Sequence, residues 1–339
     1  MHADCPAPLL EVSDLRVSFP VFRGGVRADI QAVRGISFSL EKGGSLAVVG
    51  ESGSGKTVSV SAIPGLLPPR AVCSGSVRHE GRELLGLPPE EIRKIRGRKI
   101  GMVFQEPGRS FDPLQSIGSA FWETFRNSEP EISRADADGR AAALLAETGL
   151  QNAGERLGNF PHQFSGGQLQ RISIALALAQ GCGLLIADEP TTALDVTIQA
   201  QIVAMIRRLR AQRGLSVIFI SHDIGLAAGL CGSMLVLYGG LVMESGPSAE
   251  ILENPKHPYT EALLAASPVF GSHYTESRLV PIPGRVTDPA FPEPGCPFAP
   301  RCRSASASCS AEIPPLRNIA PGRFVRCVRN CPPSGEEKE

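Results

Sequence analysis

The sequence predicts an α/β protein with a parallel sheet built around a phosphate-binding loop, followed by a small, separate, irregular piece rich in cysteine and proline that does not continue the sheet. Three observations predict it. Apolar runs of strand length alternate with longer stretches whose apolar residues recur at helical spacing, the pattern of parallel strands joined by helical crossovers. One such run, 46–49, leads directly into Gly50-Glu51-Ser52-Gly53-Ser54-Gly55-Lys56-Thr57, and 58–63 can start a helix. Beyond about Ala266 proline becomes frequent, and five of the nine cysteines fall between positions 296 and 331.

The strands and helices follow in order. Residues 9–19 alternate well enough for a strand, and 36–40 gives its neighbour. The stretch 20–33, with Gly24, Gly25 and several charges, reads as a loop or wide hairpin turn. Pro64, Pro68 and Pro69 end the helix after the glycine loop, and 75–83 reads as a strand pair turning at Glu80-Gly81. Residues 100–104 form a short strand ending at Gln105. An insert at about 106–181 is then helical from 113 onward. Leu169, Ile172, Ala175, Leu176 and Ala179 line one face of a helix over 168–180. The alternation resumes with a strand at 184–187, a helix at about 196–213 and a strand at 217–220.

The whole chain narrows the class. Its 339 residues suffice for two domains, and the 42% apolar and 20% charged content is ordinary for a globular protein. With 34 basic against 34 acidic residues, nothing supports a nucleic-acid partner gripped by a generally basic surface. Residues 1–10 hold Pro6 and Pro8 and no apolar core of signal-peptide length, so a cytoplasmic location is expected. The stretch 224–243 is uncharged and long enough to span a bilayer. It is broken by Gly225, Gly229, Gly232, Gly239 and Gly240, and reads instead as a helix ending near Cys231, a strand, a glycine turn and a second strand.

Chemistry concentrates at four places. A strand, a glycine loop and a helix are the context in which Gly50 to Thr57 signifies a phosphate cradle. Gly50, Gly53 and Gly55 let backbone N–H groups converge on an anion, with Ser52 and Ser54 between them. Lys56 can reach the outer phosphates, and the Thr57 hydroxyl can hold Mg²⁺; the competing reading is a bare turn. Second, the apolar run 184–187 delivers Asp188 and Glu189 at its C-terminal end, where an α/β nucleotide site needs them. Asp188 would hold Mg²⁺ through water, and Glu189 would polarise the attacking water. Third, Phe164-Ser165-Gly166-Gly167-Gln168 opens a helix, with Ser165 as N-cap and glycine N–H groups at its positive end, a second anion site or simply a helix start. Phe19, with Phe22 as the alternative, could stack on a purine or be an ordinary edge-strand aromatic. Fourth come the cysteines. Four thiolates could bind a [4Fe–4S] cluster or Zn²⁺, and the wide spacing of Cys296 and Cys302 favours the cluster.

Taken together, the glycine loop, Gln105, Ser165 to Gln168, Asp188-Glu189, Ala193-Leu194-Asp195 and His222 occur in an order that resembles the ATP-binding subunit of an ABC transporter, over about 9–266. The resemblance implies a P-loop NTPase of ABC type with a helical signature subdomain, working as a head-to-tail pair. ATP would lie between one subunit's loop and the other's Ser165-Gly166-Gly167-Gln168. It implies that Gln105 senses Mg²⁺ and the attacking water, that Asp195 contacts the opposite subunit, and that His222 hydrogen-bonds the γ-phosphate.

Finer matches resemble the dipeptide/oligopeptide branch: Ser110 to Leu114, Pro190 to Gln201, and His257-Pro258-Tyr259-Thr260. Leu169 departs from the pattern, since a basic residue is common there. Residues 267–331, with Cys296, Cys302, Cys309 and Cys327, resemble the C-terminal module of peptide-transporter ATPase subunits, and Cys331 is a substitute ligand. Residues 332–339 read as a disordered tail. The expected protein is therefore an ATPase subunit at the cytoplasmic face of the membrane. It would use ATP and Mg²⁺ and power di- and oligopeptide import through two permease subunits fed by a peptide-binding protein. Its ATPase partner would be a related chain or a second copy. The alternatives are an importer of nickel or a glycoside, or a soluble ABC ATPase acting on ribosomes or DNA.

Overall fold

A computed structural model describes residues 7–23, 26–267, 280–286, 288–290, 292 and 294–330. The turn at Gly24-Gly25, Cys5, Cys331 and the tail 332–339 lie outside the described residues. The chain divides into two compact units, one of residues 1–41, 45–86 and 221–339, the other of 42–44 and 87–220.

The first unit begins with β1 (Leu10–Arg23) and β2 (Val26–Leu40), paired antiparallel. The stretch 20–33, expected as a loop or wide hairpin turn, is a hairpin whose arms are strand. The ladder continues through Phe19↔Ile30 and Phe22↔Arg27, so the charged residues sit on long hairpin arms. Main-chain pairing holds these arms, and 26–32 in fact alternates apolar Val26, Ala28, Ile30 and Ala32 with polar Arg27, Asp29 and Gln31, a strand period that the neighbouring glycines and charges obscure. β3 (Ser45–Val49) is buried at every position, as a strand covered on both faces must be. It runs into α1 (Lys56–Ala62). β4 (Val72–His79) and β5 (Arg82–Glu83) complete a sheet ordered β2-β1-β4-β5, with the expected turn at Glu80-Gly81, both at positive φ.

The second unit carries α2 (Pro89–Ile95), β6 (Ile100–Val103), α3 (Pro107–Ser110), α4 (Ile117–Arg126), α5 (Arg134–Glu147), α6 (Gly166–Leu178), β7 (Leu184–Asp188), α7 (Val196–Arg213) and β8 (Ser216–Ser221). β6, β7 and β8 are parallel neighbours in that order. Phe121, Phe125, Ala141, Leu145, Ile172 and Ala175 join α4, α5 and α6 in one core cluster. Leu169 belongs to this cluster, which explains an apolar residue at that position. α7 ends on Gly214 in the left-handed conformation.

The chain then returns to the first unit with α8 (Ile224–Leu230), β9 (Ser233–Tyr238) and β10 (Leu241–Pro247), joined by the turn at Gly239-Gly240 as expected. Among the described residues no helix is long and apolar enough to cross a membrane. β9 runs parallel to β3. α9 (Ser248–Glu253), α10 (Pro258–Ala266), α11 (Ala307–Ala311), β11 (Arg317–Ala320) and β12 (Arg323–Val325) follow.

Here the structure corrects an expectation, that the cysteine-rich end is no continuation of the sheet. β12 pairs antiparallel with β10 through Glu244↔Val325 and Ser245↔Phe324, and β11 adds outside it. The free N–H and C=O groups along the edge of β10 need a partner, and strands of three or four residues are too short to show a period.

Candidate nucleotide site

The glycine loop is fixed at nearly every residue by its own unit. The Lys56 ammonium donates to the main-chain oxygens of Gly50 at 2.8 Å and Glu51 at 3.0 Å. The Glu51 N–H donates to the Tyr259 hydroxyl at 2.8 Å, and the Gly240 N–H donates to the Ser54 carbonyl at 3.1 Å. Gly55 has φ 98°, and a Cβ there would lie 2.4 Å from the Ala32 carbonyl oxygen, so only glycine fits. Gly53 also has positive φ, but a Cβ there would meet nothing within 4 Å. The Ser54 hydroxyl is buried and has no hydrogen-bond partner. An orphaned hydroxyl, an open glycine and a buried ammonium fit the phosphates of a nucleotide, and Thr57 supplies the hydroxyl suited to their Mg²⁺.

The carboxylates belong to the second unit. Asp188 is buried at the end of β7. Glu189 follows with φ 45°, a left-handed turn that ends the strand. Its carboxylate accepts from the Gln105 amide at 3.1 Å and from the Thr192 hydroxyl at 2.9 Å, and its N–H donates to the Ile220 carbonyl. Gln105 and Glu189 are thus brought together as the sequence reading requires. Thr192 was not foreseen; its position three residues after Glu189 is the available signal.

Ser165 caps α6 as expected. Its hydroxyl accepts from the Gln168 N–H at 3.3 Å, and the Gln168 side chain accepts from the Ser165 N–H at 3.1 Å, a reciprocal capping box. Gly166 and Gly167 occupy the first turn, and a Cβ on Gly167 would sit 2.9 Å from Ile198. The Asp195 carboxylate accepts from the Ile198 N–H at 2.9 Å and so caps α7. In the first unit, His222 is exposed just before α8, Phe19 is half-buried in β1, and Phe22 is exposed.

Sequence reasoning missed the supports of the loop. Arg301 grips the Glu51 carboxylate with both guanidinium arms, Nη1 to Oε2 at 2.6 Å and Nη2 to Oε1 at 3.0 Å. Nη1 also donates to the Tyr238 hydroxyl at 3.1 Å. Tyr238, Tyr259 and Phe298 pack around it, with ring centroids 4.7–5.4 Å apart. His257 accepts from the Tyr259 N–H through Nδ1, and burial pushes its imidazole down to about 3, so it stays neutral. Tyr259 stood inside a motif already noticed and Arg301 precedes Cys302, yet nothing local ties either to residue 51.

Cys296, Cys302, Cys309 and Cys327 line one small cavity with His257 and Phe298. Burial pushes the Cys296 thiol up to about 11, and the nearby Cys309 and Cys327 thiols add to that. The Cys327 thiol is raised by burial and then by Cys302 and Cys309. Among the described residues, no group of three or more His, Cys, Asp or Glu is arranged to hold a metal ion, so neither the expected [4Fe–4S] cluster nor Zn²⁺ finds support in the arrangement.

Comparison with known proteins agrees with this geometry. Residues 33–192 match the family model described as ABC transporter, and 243–309 match the one described as oligopeptide/dipeptide transporter, C-terminal region. The dipeptide transport ATP-binding protein DppD of Lactococcus lactis is 44% identical over 94% of this chain and 90% of its own. The oligopeptide transport ATP-binding proteins OppD of Bacillus subtilis and Salmonella typhimurium are 42% and 40% identical, over 94% and 95% of this chain and 88% and 93% of theirs. Among solved structures, the dimeric ATP-binding cassette MJ0796, in a post-hydrolysis state with ADP and Pi, aligns with a TM-score of 0.62 at 27% identity. That alignment covers 70% of this chain and 98% of that one. The chain has the ATP-binding cassette fold, and it belongs to the family of ATP-binding proteins of dipeptide and oligopeptide ABC transporters.

Proposed function

We propose that this chain is an ATPase subunit that hydrolyses ATP at a head-to-tail dimer interface and powers di- and oligopeptide import through a pair of membrane permeases. The observation that carries this reading is the 44% identity to a dipeptide transport ATP-binding protein across 94% of the chain, the C-terminal segment included. The match of 243–309 to the peptide-transporter C-terminal region favours peptides over nickel or glycosides.

The roles follow from chemistry. Gly50 to Thr57 bind the phosphates, with Lys56 turning from the loop carbonyls to the outer phosphates. Thr57 and Asp188 hold Mg²⁺, and Phe19 offers a face for the base. Glu189, already positioned by Gln105 and Thr192, orients the attacking water, since phosphoryl transfer is chiefly positioning and charge stabilisation. His222 bonds the γ-phosphate. Ser165, Gly166, Gly167 and Gln168 complete the partner's site, and Asp195 touches the partner. Residues 9–266 serve as the nucleotide-binding domain, with 106–181 as the helical part that meets the permease at the cytoplasmic membrane face.

Residues 267–331 are assigned to a separate functional module. The lining of one small cavity by all four of its cysteines 296, 302, 309 and 327 supports reading them as a single ligand set. Cys296, Cys302, Cys309 and Cys327 would hold a [4Fe–4S] cluster as a structural clasp. Iron content and visible absorption of anaerobically purified protein test it, and colourless, iron-free protein would reject it.

Two measurements test the main reading. Glu189→Gln should keep ATP binding and lose about 10² or more in turnover; near-normal hydrolysis would remove the assignment. The chain should co-purify with a two-subunit permease, and purification without one from cells expressing both would count against the transporter reading.

A further inference from the structure

Through Arg301 the C-terminal segment reaches the phosphate loop at Glu51. Glu51, the second residue of the loop, is held three ways. Its N–H donates to Tyr259, its carbonyl accepts from Lys56, and its carboxylate takes both arms of Arg301. Arg301 is itself pinned. Its side chain is 4% exposed against 27% for Glu51, its Nε donates to the Pro283 carbonyl at 2.8 Å, and Nη2 reaches the Ile282 carbonyl at 3.3 Å. A buried, fork-shaped cation with every arm engaged cannot follow a moving partner, so it dictates where Glu51 sits. Glu51 in turn sets the carbonyl on which the Lys56 ammonium rests. Cys302 follows Arg301 directly, which ties the wall of the cysteine cavity to the loop by one peptide bond.

We propose that Arg301 is a positioning residue for nucleotide binding. Through Glu51 it holds the phosphate loop in its binding conformation, so that the cysteine-bearing segment sets the affinity of the loop for ATP. This rests on the reading of Gly50 to Thr57 as the ATP cradle and adds a device that the cradle motif does not contain.

The test is a double-mutant cycle on the full chain, read by titration with a fluorescent ATP analogue and Mg²⁺, with the thermal midpoint measured without nucleotide. Arg301→Met should weaken binding on the order of tenfold, the size of an ordinary coupling between sites. Glu51→Gln should weaken it too, and the double variant should be no worse than Arg301→Met alone, because both act through one contact. Arg301→Lys keeps the charge without the fork and should fall between. Unchanged affinity with a lowered midpoint, or additive losses in the double variant, would overturn the proposal. Should Arg301→Met fail to fold, Glu51→Gln and Arg301→Lys decide it, since normal affinity in both would overturn it equally. Wild-type protein that ignores the analogue would instead remove the ATP reading, and the proposal with it.

Discussion

The two halves of the candidate chemistry are held in opposite ways. In the second unit most of the functional groups are fixed by a neighbour three residues away, Gln105 reaching Glu189 across 84 residues being the exception. Ser165 and Gln168 cap each other three residues apart, Asp195 caps through Ile198, and Thr192 steadies Glu189. In the first unit the phosphate loop is held from afar. Tyr259 is 208 residues from Glu51, and Arg301 is 250. Local holding yields a site that survives changes elsewhere, whereas remote holding makes the loop answerable to whatever happens to the C-terminal segment.

The largest expected effect attacks the remote support. Glu244 is fully buried and accepts from Arg323 at 3.0 Å and from the Lys256 and His257 N–H groups, each at 2.9 Å. Glu244→Leu leaves a buried guanidinium and two N–H groups without their acceptor. It should cost about 3–5 kcal/mol, read as the urea midpoint of the full chain, and should weaken nucleotide binding along with stability. A variant destabilised by that amount that binds nucleotide normally would break the contrast.

An intermediate effect comes from two glycines of the same loop. Gly55→Ala combines left-handed backbone with a Cβ against the Ala32 carbonyl, so the loop must move and nucleotide binding should be lost. Gly53→Ala meets only the backbone penalty, about 1–2 kcal/mol. Equal losses in both would show that conformation, not remote packing, constrains the loop. The smallest effect belongs to the local caps. Ser133→Ala, which removes the cap of α5, should cost about 1 kcal/mol of stability and leave nucleotide binding by the loop unchanged, as measured by the same titration.

The same contrast explains what the sequence disclosed. Elements and groups fixed within a few residues were legible: the helix 196–213 with its flanking Asp195 and Gly214, the Ser165 cap, the turn at Glu80-Gly81, and the buried strands ending in Val49 and Asp188. Illegible were features that exist only once distant segments meet. β12 has three residues and takes its place because β10 has an edge to cover, whereas the hairpin arm 26–32 alternates and carries a strand signal that its charges and the adjacent glycines obscure. Arg301 is, in the sequence, one more basic residue beside a cysteine. Only its burial and its two bonds to Glu51 distinguish it, and neither leaves a trace in spacing.

The distance between Glu51 and Arg301 also has a consequence in time. A chain emerges from the ribosome N-terminus first, at about 5–20 residues per second. Glu51 is therefore made roughly 12–50 s before the arginine that fixes it, 250 residues later. Throughout that interval the loop has its glycines, lysine and strand but not its clamp, while the second unit can already close its caps. Residue 301 thus completes the setting of the first motif made, and a chain cut short before Arg301 would emerge with the cradle's sequence intact and its setting undone.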